Sequence, residues 1–200
     1  MSTFEQSMAE QSPPKPPKRS YRLKKVVVMV GMMGAGKTAV GRALATRLDV
    51  PFLDSDQEIE AAANLTIPEI FDRYGEAFFR EKETQVMARL LDLERGVLST
   101  GGGTFLSDCN RYLISERGVS FWLKADLEVL WNRIRHKDTR PLLRTPDPRT
   151  TLATLFAARD PLYGLADLFA ETDGDMSVED MVDRVIASLL TRPDILEDVK

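Results

Sequence analysis

Two hundred residues, 43% of them apolar, suffice for one domain with a sizeable core and short tails. A net charge of −4 and a pI near 5.2 exclude a general nucleic-acid binder. Cys109 is the only cysteine and His136 the only histidine, which rules out an internal disulfide, histidine-rich metal sites and Ser-His-Asp chemistry. No apolar run approaches the ~20 residues of a membrane span. Residues 1–11 lack the basic and apolar regions of a signal peptide, so the expected location is the cytoplasm.

Residues 1–22 contain Pro13, Pro14, Pro16 and Pro17 among Lys15, Lys18 and Arg19, and the expectation is a disordered extension without a core. The domain is expected over 23–190. Its first element is an apolar β-branched strand over 25–30, suited to burial on both faces. There follows Gly31-Met32-Met33-Gly34-Ala35-Gly36-Lys37-Thr38, the G-x-x-x-x-G-K-[ST] pattern of a phosphate-cradling loop. Val40, Ala43, Leu44 and Leu48 then fall at helical spacing, so a helix opens near Lys37. Strand, glycine loop and helix are the parts the chemistry needs. Backbone N–H groups of Gly34, Ala35, Gly36 and Ala39 can face a phosphate at a helix N-terminus, Lys37 reaches the outer phosphates, and the Thr38 hydroxyl can hold Mg²⁺. The chain binds a nucleoside triphosphate.

A second strand ends in Asp54-Ser55-Asp56. With the backbone still extended there, both carboxylates point the same way. Asp54, nearer the loop, is assigned to the metal, and Asp56 to the acceptor hydroxyl. Thr66 and Glu69 read as a capping box for a short helix that Gly75 stops. Phe79, Val86, Leu90 and Leu93 mark a longer helix carrying Arg80. Spacing leaves Arg80 open between a surface ion pair with Glu76 or Glu83 and a fork for a substrate carboxylate. A third strand over 96–100 delivers Gly101, Gly102 and Gly103, where the backbone can approach a small ligand closely.

A helix over 108–116 leads to a fourth strand over 118–123, and Leu127, Leu130, Trp131 and Ile134 mark another helix. Residues 137–149 hold Lys137, Arg140, Arg144 and Arg149 between prolines and read as a basic lid over a phosphate site. A helix carrying Arg159, a strand near 167–171 and a last helix capped by Ser177 and Asp180 complete the domain. Residues 191–200 are expected to fray. Arg140 and Arg159 are candidates to neutralise phosphate charge or hold an anionic substrate. Alternating strands and helices predict an α/β fold, a parallel sheet of about five strands between helices, with the ligands beyond the strand carboxyl ends.

Together, residues 31–38, Asp54-Ser55-Asp56, Phe79-Arg80, Gly101-Gly102-Gly103, Arg140-Pro141-Leu142 and Arg159-Asp160-Pro161-Leu162-Tyr163 closely resemble the shikimate kinase family, in order and spacing over about 25–170. The resemblance implies a three-layer P-loop fold like that of the nucleoside monophosphate kinases. It implies phosphorylation of the shikimate 3-hydroxyl by ATP with Mg²⁺, a step toward chorismate and the aromatic amino acids. It further implies that Asp56, Arg80, Gly101, Gly102, Gly103 and Arg159 bind shikimate, with Arg80 and Arg159 on its carboxylate. Lys37, Asp56 and Arg140 are then the catalytic set, Thr38 and Asp54 the Mg²⁺ side, and Arg133 a neighbour of the adenine. The expected enzyme is a cytoplasmic monomer whose partner is a small molecule, not nucleic acid or membrane. Another hydroxy-acid kinase of this fold, such as a gluconate kinase, and a non-catalytic nucleotide-binding regulator are the alternatives.

Overall fold

The computed structural model describes residues 20–93, 95–136, 143 and 145–199. At its centre lies strand β2 (Val26–Val30), whose five side chains are all buried. Successive strand side chains point to opposite faces, so a fully buried run requires cover on both. Strands β3 (Phe52–Asp54), β4 (Gly96–Ser99), β5 (Gly118–Ala125) and β6 (Leu168–Thr172) join β2 in a parallel sheet of order β3-β4-β2-β5-β6. Helices α1 (Lys37–Leu48) and α7 (Val178–Leu189) pack on each other, as do α3 (Ile67–Leu90) and α4 (Asp108–Arg117). Helix α5 (Leu127–Ile134) packs on α6 (Pro148–Tyr163). The three-layer arrangement is the predicted one.

Register carries the functional consequence. Asp54 of β3 pairs with Ser99 of β4, and Ser99 pairs with Met29 of β2. The strand ends bearing Asp54, the glycine run and the phosphate loop therefore finish side by side on one rim.

The local elements differ from expectation at four places. The backbone is not extended through Asp56: Asp54 caps α2 (Ser55–Ala63), accepting the Asp56 N–H at 3.1 Å, because Asp is a strong N-cap. The two carboxylates share a site through a strand-to-helix turn rather than through strand alternation. Gly75 does interrupt the helical path, with φ 79° and ψ 174° inside α3, but the helical segments on either side follow each other directly. Leu93 lies beyond the end of α3 and is 39% exposed.

The fourth difference concerns the ends. Residues 20–22 belong to a strand, β1 (Ser20–Leu23), which pairs antiparallel with β7 (Leu196–Val199) inside the stretch expected to fray. Ile195 and Leu196 are buried with Leu23, and Lys24 Nζ meets Glu197 at 2.6 Å. Burial of two aliphatic side chains holds the C-terminal segment down, and an antiparallel pairing between distant chain ends leaves no local signature. Among the described residues, no helix is long and apolar enough to cross a membrane.

Candidate active site

Glycine-rich backbone turns β2 into α1. Gly34 and Gly36 have φ of 85° and 96°, which L-residues with side chains resist. Gly36 is the N-cap of α1, and no side chain caps that end. Its N–H groups and partial positive charge are thus presented to the rim. Lys37 Nζ donates to the carbonyls of Gly31 at 2.7 Å and Met32 at 3.1 Å, arching back over the loop that precedes it.

Residues 33–40 line one wall of a cavity of about 550 Å³. Asp54, Asp56, Ser99, Thr100, Gly101 and Gly102 line another part of it. The Thr38 hydroxyl stands 3.3 Å from Asp54 Oδ2 and 3.2 Å from Ser99 Oγ. Ser99, read from the sequence only as part of the third strand, comes to this point by strand register. Hydroxyl and carboxylate oxygens suit Mg²⁺, a hard ion that completes its shell with water and substrate phosphates. Among the described residues no cluster of three or more His, Cys, Asp or Glu forms an all-protein metal cage. The donor set fits Mg²⁺.

Asp56 is pushed up from an ordinary carboxyl value of 3.8 to about 6. Burial contributes most, followed by the charges of Asp54 and Glu83; Lys37 pulls the other way and Glu60 adds a small push. A carboxyl group tuned toward neutrality beside a phosphate loop is equipped to exchange a proton near physiological pH.

The three glycines each face a different side chain. A Cβ on Gly101 would fall 2.7 Å from Asp56 Oδ1, and one on Gly103 would fall 2.6 Å from Arg80 Nη1. One on Gly102 would lie 3.7 Å from both Arg159 Nη1 and the Tyr163 hydroxyl. Close approach is therefore the reason for glycine at 101 and 103. The approaching groups are the protein's own Asp56 and Arg80 as well as whatever the cavity admits.

Arg80 makes the ion pairs that helical spacing offered, with both Glu76 and Glu83. Its Nε and Nη2 donate to Glu76 Oε1 at 3.3 and 3.2 Å, and its Nη1 donates to Glu83 Oε2 at 3.0 Å. Its guanidinium nonetheless ends against Gly103. Glu76 is exposed while Glu83 is 1% exposed, a difference that helical spacing could not supply. Arg159 lies on α6 one turn before Tyr163. Tyr163 is fully buried, donates to the Gly102 carbonyl at 2.5 Å, and has its hydroxyl pushed up to about 12 by burial.

At the other end of the cavity stand Arg133, Thr172, Gly174, Met176, Ser177, Val178 and Met181. Arg133 Nη2 donates to Thr172 Oγ1 at 3.2 Å and to the Asp173 carbonyl at 3.1 Å. The sequence reading placed Arg133 but missed the 172–181 segment, whose Ser177 and Asp180 announce a helix cap and nothing about a ligand. Asp56, Gly101 and Gly102 share the cavity wall with the phosphate loop, while Arg80, Gly103 and Arg159 adjoin it through the glycine turn. Arg140, Lys137 and Arg144 lie outside the described residues. Of the basic stretch, Arg149 is described, paired with Glu128 at 2.6 Å on the surface.

The shikimate kinase family model matches residues 33–190. A shikimate kinase of Ruegeria pomeroyi is 71% identical over 175 residues, covering 88% of this chain and 90% of that protein. One from Cereibacter sphaeroides is 68% identical over 176 residues, 88% of either chain. Among solved structures, shikimate kinase from Acinetobacter baumannii in complex with shikimate matches with a TM-score of 0.76 and 39% identity, covering 81% of this chain and 90% of that one. A family match across most of the domain, relatives at this identity and the rim geometry agree, and the chain belongs to the shikimate kinase family, as an ATP-dependent kinase acting on shikimate.

Proposed function

We propose that MgATP lies along residues 31–38 and that shikimate sits at the glycine turn, its carboxylate gripped by Arg80 and Arg159 and its ring hydroxyls by Asp56 and the backbone of 101–103. The observation that carries this reading is the pairing of one glycine with each of Asp56, Arg159 and Arg80 beside the phosphate loop. Two planar cations converging on one turn suit a carboxylate, and a partly desolvated Asp suits a hydroxyl.

The chemistry asked of these residues is positioning and charge. Asp56 holds the 3-hydroxyl in line and accepts its proton as the oxygen forms a bond to the γ-phosphorus and the bond to the bridging oxygen breaks, releasing ADP. Lys37, with the N–H groups of Gly34, Ala35, Gly36, Thr38 and Ala39, balances the negative charge of the phosphates. Thr38 and Asp54 would hold Mg²⁺, which supplies charge neutralisation to the phosphate oxygens. Arg133 flanks the nucleoside end. Arg140 is assigned to the phosphates on the strength of its motif, Arg140-Pro141-Leu142.

The enzyme is taken to work as a cytoplasmic monomer, without nucleic acid or membrane. The net charge of −4 supports the absence of a nucleic-acid partner.

The test is ADP release with MgATP and shikimate, gluconate or no acceptor. Turnover is expected with shikimate alone. Arg80→Ala should raise the KM for shikimate at least a hundredfold, as loss of a charged hydrogen-bond partner costs several kcal/mol. Turnover on gluconate alone would void the contacts given to Arg80 and Arg159. Sedimentation as a dimer would void the monomer assignment.

A further inference from the structure

The aim of Arg80 depends on a buried relay behind it. Glu83 is buried, and its two carboxylate oxygens have different partners. Oε2 accepts from Arg80 Nη1 at 3.0 Å, and Oε1 accepts from the Thr104 hydroxyl at 2.7 Å. Thr104 follows the glycine run directly and is fully buried. Its backbone N–H donates to the Gly101 carbonyl at 3.2 Å, closing the turn. Its carbonyl accepts from Asn110 Nδ2 of α4 at 3.0 Å, and Asn110 is also fully buried. Thr104 is thus tied to the turn, to α4 and to Glu83 at once.

Away from water, an oxygen of Glu83 without a donor would be costly, and a carboxylate bonded only to Arg80 would be free to rotate about its terminal bond. The Thr104 hydroxyl removes both problems. It satisfies Oε1 and fixes the plane from which Oε2 receives Nη1. On the solvent side, Glu76 takes Nε and one N–H of Nη2. Each Nη carries two hydrogens, so one N–H on Nη1 and one on Nη2 remain at the end of the fork, against Gly103. That end-on pair faces the glycine turn.

We propose that Thr104 is a positioning residue for recognition of the anionic substrate: its hydroxyl orients Glu83, and through Glu83 it presents the Arg80 fork to the shikimate carboxylate. The inference rests on Arg80 gripping that carboxylate. Thr104 itself touches no substrate.

Thr104→Val deletes the hydroxyl at nearly constant volume, and Thr104→Ser keeps it. The valine variant should raise the KM for shikimate about tenfold, the scale of one lost charge-assisted hydrogen bond acting at a distance. Its kcat and its KM for ATP should stay within about twofold, and the serine variant should return the shikimate KM to near wild type. A loss of fold would move both KM values, and serine would not discriminate. If the valine variant does not fold, Thr104→Ala, which adds no second methyl beside Glu83, carries the same comparison. An unchanged shikimate KM in the hydroxyl-free variants, an equal rise in the ATP KM, or failure of serine to rescue overturns the proposal. Arg80→Ala separates it from the parent reading. If that variant keeps the wild-type KM for shikimate, the carboxylate grip is wrong. If it raises the KM while Thr104→Val is silent, only the positioning role falls.

Discussion

Asp56 and Gly101 are in contact: a Cβ at residue 101 would fall 2.7 Å from Asp56 Oδ1. Real Cβ atoms do not approach so closely, so Gly101→Ala must push the Asp56 carboxylate aside. A short side chain end can rotate, and the fold should survive. The expected result is a fall in kcat of about a hundredfold with little change in melting temperature, the scale on which misplacing a reacting group slows a step. Gly102→Ala has 3.7 Å of room and should be the mildest of the three substitutions. Steady-state kinetics on the three glycine variants checks the order.

Titration of Asp56 should appear in both rate and stability. Its folded value of about 6 lies above the ordinary 3.8, so the folded state disfavours the charged form. The stability contribution is fully present below pH 4 and is lost as pH rises through about 6, a total of roughly 3 kcal/mol for a shift of this size. Asp56→Asn should therefore be more stable than wild type at pH 7.5, with the gap closing below pH 4. The kcat/KM for shikimate should fall as pH drops through about 6. Urea melts at the two pH values and a pH–rate profile decide it; a wild-type advantage at pH 7.5 would refute the buried-charge argument.

A Cβ placed on Gly75 would meet nothing within 4 Å, yet φ 79° with ψ 174° is a region open almost only to glycine. Gly75→Ala should cost about 1–3 kcal/mol from backbone strain alone. Gly75→Asn should not recover it, because asparagine tolerates the left-handed helical region and not this ψ. Chemical denaturation of both variants measures the effect.

Leu196→Ala should destabilise by about 2–5 kcal/mol, since its side chain is buried against the core under the β1–β7 pair. Arg22→Ala, which removes an exposed ion pair to Glu197, should cost under about 1 kcal/mol. Equal small effects in a urea melt would mean that the C-terminal segment is frayed after all.

Much of the site was legible in the chain because its chemistry is local. The phosphate loop needs glycines, a lysine and a threonine at adjacent positions, and 31–38 supplies them between a strand and a helix. Glycine at 101 and 103 announced close approach. The approaching partners, Asp56 and Arg80, lie 45 and 23 residues earlier and come there only through register and helix packing. The cavity wall formed by Gly174, Met176, Ser177, Val178 and Met181 was the least legible part, because its sequence carries only turn and cap signals.

Sequence alone determined the elements whose signals repeat within a few residues: the buried β2, the loop, the helix caps at Thr66 and Ser177, and the α/β alternation. It also determined the family, because six motifs in order are more specific than any one of them. Tertiary structure decided what depends on burial and on distant pairing. It made Glu83 a buried anchor and Glu76 a surface partner of the same arginine, although both sit at helical spacing. It raised the Asp56 carboxyl through desolvation and neighbouring charge, and it tied residues 196–199 to 20–23 across the length of the chain. The physical reason is common to all three: dielectric environment and hydrogen-bond partners belong to the space around a side chain, and that space is filled by residues far away in sequence.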